Sequence, residues 1–120
     1  MNMANESLGA VMASEIAETP EVFRRILSNL ADLEPIKDIL IANKISSILI
    51  LARGTSDSAA HFLKYLVETK LGLPCGLTSP SSVTIYDAEL HYQSVLVVAL
   101  SQSGQSPDLV AFANSAKRAG

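Results

Sequence analysis

Cysteine is nearly missing from this chain. Cys75 stands alone in 120 residues, so no internal disulfide framework exists, no zinc-type spacing surrounds it, and a reducing, cytoplasmic setting is expected. Basic clusters are missing too. Nine Lys plus Arg are dispersed among twelve Asp plus Glu for a net charge of -3, which excludes the electrostatic footprint of a nucleic-acid binder. No apolar run approaches the ~18 residues of a membrane span. The first thirteen residues contain Glu6 and lack both a basic n-region and a long apolar core, so neither export nor a membrane partner is expected. His61 and His91 stand thirty positions apart without carboxylates at metal-binding spacing, and no metal is expected. Nor is there an internal repeat, a low-complexity tract or a Gly/Ser linker to divide the chain.

What the chain does have is apolar residues, 48% of the total against 18% charged, ample for the packed core of at most one domain. Two zones are legible. Residues 1 to about 14 read as a frayed leader. Thr19-Pro20-Glu21 then places an N-cap hydroxyl, a proline at the first helical position and an acid in the first turn, which predicts a helix start. Val22, Phe23, Ile26, Leu27 and Leu30 follow at helical spacing. A second short helix after Pro35 would carry Ile36, Ile39 and Leu40, making residues 1–45 a helical entry.

From Ser46 the pattern alternates strand and helix. Ile48-Leu49-Ile50-Leu51 is uninterrupted, as in a strand buried on both faces. Ser56 to Leu71 places Ala59, Phe62, Leu63, Leu66 and Val67 on one helical stripe, and Gly72 with Pro74 ends it. A short strand from Cys75 to Thr78, a turn or helix through Ser81 to Leu90, a strand from Ser94 to Leu100 and a helix from Ser106 complete the plan. The fold class is α/β: an open parallel sheet with right-handed crossovers, flanked by helices. Only three strands are laid down, against about five or six in a mean sheet. An apolar third strand would otherwise be an exposed edge. Residues 46–120 are therefore expected to be the first part of a larger domain, or to have their sheet completed by a partner.

Two loops that follow strands carry the chemistry. In Ala52-Arg53-Gly54-Thr55-Ser56-Asp57, Gly54 permits a tight turn and two hydroxyls stand at a helix N-terminus. In Ser101-Gln102-Ser103-Gly104-Gln105-Ser106-Pro107-Asp108, Ser106 is read as the cap and Pro107 as the first helical residue, leaving Ser101, Gln102 and Ser103 to point into a crevice. The junction of strand end and helix N-terminus is where open α/β sheets bind small ligands, because unpaired N–H groups and a partial positive charge meet there. Hydroxyls and amides without a fixed charge suit a phosphate that must bind and leave. The same residues are also the preferred helix caps, and from spacing alone capping and ligand binding weigh equally.

These two loops resemble the phosphate-binding signatures of the sugar isomerase (SIS) domain family. Met12-Ala13-Ser14-Glu15-Ile16-Ala17-Glu18-Thr19-Pro20 is similar to the Met-x-x-Glu-Ile-x-Glu-x-Pro opening of the isomerase half of glucosamine-6-phosphate synthase. The resemblance spans roughly residues 12–120. It is closer to SIS-type glucosamine-6-phosphate deaminases through Ala52-Arg53-Gly54, Pro80-Ser81-Ser82-Val83 and Gln105-Ser106-Pro107-Asp108. The chain starts Met1-Asn2, without the N-terminal cysteine of a glutamine-hydrolysing domain. Arg53 stands where the synthase pattern has cysteine, Asp57 where it has tyrosine and Ser82 where it has an acid, which favours a deaminase or isomerase.

The resemblance implies a flavodoxin-like three-layer α/β/α fold that uses no cofactor. It implies that Ser101, Ser103 and Ser106 bind the phosphate of a hexosamine or hexose 6-phosphate while Gln102, Thr55 and Ser56 contact phosphate or sugar, with Gly54 and Gly104 shaping the loops. It further implies proton transfer between C1 and C2 of the opened sugar. The base would be a glutamate in a second SIS half, and the ring-opening histidine would come from the other subunit of a homodimer. The 120 residues by themselves are thus expected to be inactive. A non-catalytic sugar-phosphate sensor of the kind found in transcription regulators is the alternative, as is an isomerase of other specificity; for such a regulator, residues 1–45 are too short and too poor in basic residues for a helix-turn-helix.

Among the other polar residues, Cys75 after Pro74 reads as a small core residue. Glu15 and Glu18 read as a solvated helix face, although the family opening puts them near the subunit contact. Arg53 is positioned to reach a carboxylate or the phosphate, and pairing with Asp57 is equally open.

Overall fold

The central strand of the computed structural model, which describes residues 9–120, is β1 (Ser47–Ala52). It pairs in parallel with β2 (Cys75–Thr78) on one side and β3 (Val95–Leu100) on the other, giving the order β2-β1-β3. Ile48 stands opposite both Cys75 and Leu96, and Ala52 opposite Leu100. Every residue of β1 from Ile50 to Ala52 is buried, as the unbroken apolar run requires of a strand covered on both faces. Gly76 admits the close approach of β2, because a Cβ there would stand 2.9 Å from Leu49 Cδ2.

Helices cover both faces. Helix α3 (Ser56–Leu66) extends as a π-helical turn over Val67–Leu71 and stops at Gly72, whose φ of 66° is left-handed. It packs Ala60 and Val67, with Leu63, against Ile48, Ile50, Ala52 and Cys75. Helix α4 (Ser81–Thr84) and helix α5 (Pro107–Arg118) belong to the other side, where Leu109, Phe112 and Ala116 close on Leu51 beneath Val83, Leu90 and Tyr92. The result is the expected three-layer α/β/α arrangement. All strands fall where the alternation of apolar runs puts them.

The stripe on α3 needs correction. Phe62 is 67% exposed and Ala59 is exposed, whereas Ala60 is fully buried. The apolar arc of this helix is wider than the arc the sheet covers: Ala60 and Val67 are buried and Leu63 half-buried, at i, i+7 and i+3.

The contacts divide the chain into two units, one ending at Ile39 and one running from Leu40 to Gly120. In the first, α1 (Ala10–Ser28) precedes a short 3-10 turn over Leu30–Leu33, and α2 begins at Glu34 and continues to Ala42. The start signal at Thr19-Pro20-Glu21 starts nothing, because α1 runs through it with Pro20 inside. Met12 to Glu18 are mostly good helix formers, so the helix propagates into the proline instead of nucleating at it. The expected leader over residues 1–14 is therefore helical from Ala10 onward; residues 1–8 lie outside the described residues. Pro35 sits in the first turn of α2, where its missing N–H costs nothing. Glu15 and Glu18 are exposed, and Glu18 pairs with Arg25 at 3.2 Å. No described helix is long and apolar enough to cross a membrane.

Candidate functional site

β1 lies between β2 and β3, so the chain leaves its end toward one face through α3 and returns from β2 across the other face to β3. The carboxyl ends of β1 and β3 are therefore the point where the crossovers diverge, which opens a crevice above an α/β sheet. A space of about 370 Å³ occupies it. Its wall holds Thr55, Ser56, Ser101, Gln102, Ser103 and Ser106, with Arg53. The structure thus brings together all six hydroxyl and amide side chains that the sequence singles out. Gly54 and Gly104 shape the turns on either side with φ of 59° and 65°.

Local geometry decides what the hydroxyls do. Thr55 precedes α3 with helical dihedrals and Ser106 precedes α5 in an extended conformation, yet neither side chain makes a capping hydrogen bond. This corrects the reading of Ser106 as a side-chain cap. Pro107, at the first position of α5, has no N–H to offer, and the Leu109 N–H donates to Asp108 Oδ1 at 3.0 Å. Ser101 Oγ accepts the Gly104 N–H at 3.0 Å, and Ser103 Oγ accepts the Gln105 N–H at 3.2 Å. A hydroxyl that accepts in this way keeps its own O–H for donation. Both therefore brace the loop and still present a donor.

Arg53 is the residue whose partner the sequence leaves open. Its guanidinium pairs with Asp108, 55 positions away, and not with Asp57. That bond, aided by the Leu109 N–H and opposed by burial, holds the Asp108 carboxyl below the usual carboxylate range. Asp57 instead stands 3.7 Å from His61 Nδ1. A second, larger space of about 600 Å³ lies over the ends of β1 and β2, lined by Thr78, Ser79, Ser81, Asp57 and Asp108, and Arg53 borders both spaces. Sequence reasoning missed this second space. Its only sequence signal is the run of small hydroxyl residues after β2.

Cys75 is buried within the sheet core, and burial pushes its thiol up, which suits a packing residue. Among the described residues no group of three or more His, Cys, Asp and Glu is gathered for a metal ion.

No protein-family model matches the chain. The crystal structure of a candidate phosphosugar isomerase from Silicibacter pomeroyi DSS-3 superposes with a TM-score of 0.83 at 39% identity, over 91% of this chain and 34% of that one. Glutamine–fructose-6-phosphate aminotransferase (isomerizing) of Bradyrhizobium diazoefficiens is 33% identical over 115 residues, and that of Escherichia coli K12 31% over 117, each across 91% of this chain. This chain is thus similar over nearly its whole length to sugar isomerase (SIS) proteins. It spans about a fifth of the length of these curated relatives, 19%, and the SIS fold accounts for the placement of both loops over one crevice.

Proposed function

We propose that the crevice between β1 and β3 grips the phosphate of a sugar phosphate, and that the whole protein is a phosphosugar isomerase of the deaminating kind, converting glucosamine 6-phosphate and water into fructose 6-phosphate and ammonia. The observation that carries this reading is the use of the hydroxyls. Six polar side chains from two loops converge on one space, none caps a helix, and Ser101 and Ser103 keep protons free to donate. Charge-assisted hydrogen bonds of that kind are about twice as strong as neutral ones. The names of the relatives, an isomerizing aminotransferase acting with fructose 6-phosphate and a phosphosugar isomerase, support the same ligand class.

The crevice binds and orients; its wall offers hydroxyls, an amide and a guanidinium, none of which is a base at neutral pH. Proton transfer between C1 and C2 needs a base tuned near the working pH, and in this proposal it comes from a second SIS domain. A homodimer in the cytoplasm is the proposed assembly. Its support is the apolar surface of the first unit, where Val11, Met12, Ile16, Phe23 and Leu27 are each at least 60% exposed and ask for a cover.

The test is an assay of the full-length gene product for ammonia and fructose 6-phosphate from glucosamine 6-phosphate. Ammonia release supports the proposal. Aldose–ketose exchange without ammonia would refute the deaminase and leave an isomerase, and binding without turnover would leave a sugar-phosphate sensor. The 120-residue chain is expected to bind fructose 6-phosphate without turnover, gaining about 2.7 kcal/mol of stability at one hundred times its Kd.

A further inference from the structure

The two spaces above the sheet differ in charge, and one side chain stands between them. The smaller is lined by hydroxyls, an amide and Arg53; the larger has the carboxylates of Asp57 and Asp108 on its wall, and again Arg53. Asp108 lies in the first turn of α5, with one carboxylate oxygen on the Leu109 N–H and the other on the Arg53 guanidinium. An uncompensated acid there would repel an anion bound at the same helix terminus. Arg53 remains 63% exposed, and a guanidinium has five donors, so it can neutralise Asp108 without being consumed by it.

We propose that Arg53 is a positioning residue that screens Asp108 from the phosphate, so that the hydroxyl crevice accepts a dianion and the ligand enters with its phosphate at β3 and its uncharged or amine-bearing end toward the acidic space. This rests on the phosphate reading of the crevice. It is separate from a tether role, in which the Arg53–Asp108 bond only holds the loops together, and from direct contact, in which Arg53 acts on the phosphate by itself.

Calorimetric titration of fructose 6-phosphate into the chain and the variants Arg53→Ala, Asp108→Asn, the double variant and Ser103→Ala separates these roles, with thermal melts run in parallel. Screening predicts that Arg53→Ala weakens binding about tenfold, the scale of one charge–charge repulsion near a protein surface. It predicts that Asp108→Asn binds more tightly than the parent, and that the double variant returns to within about threefold of it. Raising salt to about 0.5 M should shrink the Arg53→Ala deficit, because exposed charges are screened. Equal weakening in both single variants would overturn the proposal in favour of a tether. A double variant as weak as Arg53→Ala would overturn it in favour of direct contact. A parent chain that binds no sugar phosphate, or a Ser103→Ala variant that binds as well as the parent, would instead remove the phosphate reading on which the proposal stands.

Discussion

Replacing Phe112 by alanine tests whether α5, the helix that presents the serine loop, is docked as described. Phe112 is fully buried among Leu51, Leu109 and Ala116, and its ring lies 6.3 Å from that of Tyr92 at 44°. Burying an aromatic side chain removes about 150–250 Å² from water, which at about 25 cal/mol per Å² is about 4–6 kcal/mol as an upper bound. The pocket is flanked by the half-buried Val83 and Leu90, which can partly close the void, so the low end of the usual Phe→Ala range applies, about 3 kcal/mol. For a unit running from Leu40 to Gly120 that corresponds to a fall in Tm of roughly 12–24 °C. Urea unfolding followed by far-UV circular dichroism measures it, with Phe112→Leu as a milder variant should the alanine form fail to fold. Phe62→Ala is the internal control. Its ring is 67% exposed, and the expected change is within about 0.5 kcal/mol. Equal losses at Phe62 and Phe112, or a loss below about 1 kcal/mol at Phe112, would refute the assignment of faces.

Ser103→Ala should weaken fructose 6-phosphate binding about tenfold or more by calorimetry, the scale of a hydrogen bond to a charged group, while costing less than about 1 kcal/mol of stability, because the exposed Gln105 N–H can turn to water; collapse of Tm with affinity kept would contradict this. Gly104→Ala is expected to cost about 1–2 kcal/mol in urea unfolding from backbone strain alone, since φ is 65° and nothing stands within 4 Å of the added Cβ, and Gly104→Asn should cost less. The lowered folded-state pKa of Asp108 means that its link to Arg53 is fully present above the unfolded carboxylate range and is lost as pH falls through the lowered value; the acid limb of stability should therefore flatten in Asp108→Asn. Cys75, buried and with its thiol pushed up, should react with a thiol reagent at pH 8 only as fast as the sheet opens, and rapid labelling of the native chain would contradict its core placement.

Much of the sheet was legible because its signals are local. β2 is bounded by Pro74 and Ser79, and β1 is an unbroken apolar run, so both emerge at the positions that the pattern marks. The two polar loops were legible for the same reason, each following directly on a strand. Long-range choices were not. Arg53 finds Asp108 because β1 and β3 are neighbours, a fact that no spacing within either loop contains. The arc of α3 that is buried depends on where the sheet lies, so Phe62 counts as core in the sequence pattern and as surface in the fold. At Pro20 a start signal was outweighed by helix formers upstream, a contest of cooperative propagation that a motif of three residues does not report.

Of the three positions that set this chain apart from the synthase pattern it resembles, Arg53 and Asp57 line the spaces above the sheet. Arg53 is exposed, Asp57 and Ser82 are half-buried, and none belongs to the clusters around Ile50 or Leu51. Mutation can therefore revise the ligand here while leaving the foundations alone. A lineage could exchange one phosphosugar chemistry for another through steps that each remain foldable, and divergence of substrate would run well ahead of divergence of architecture.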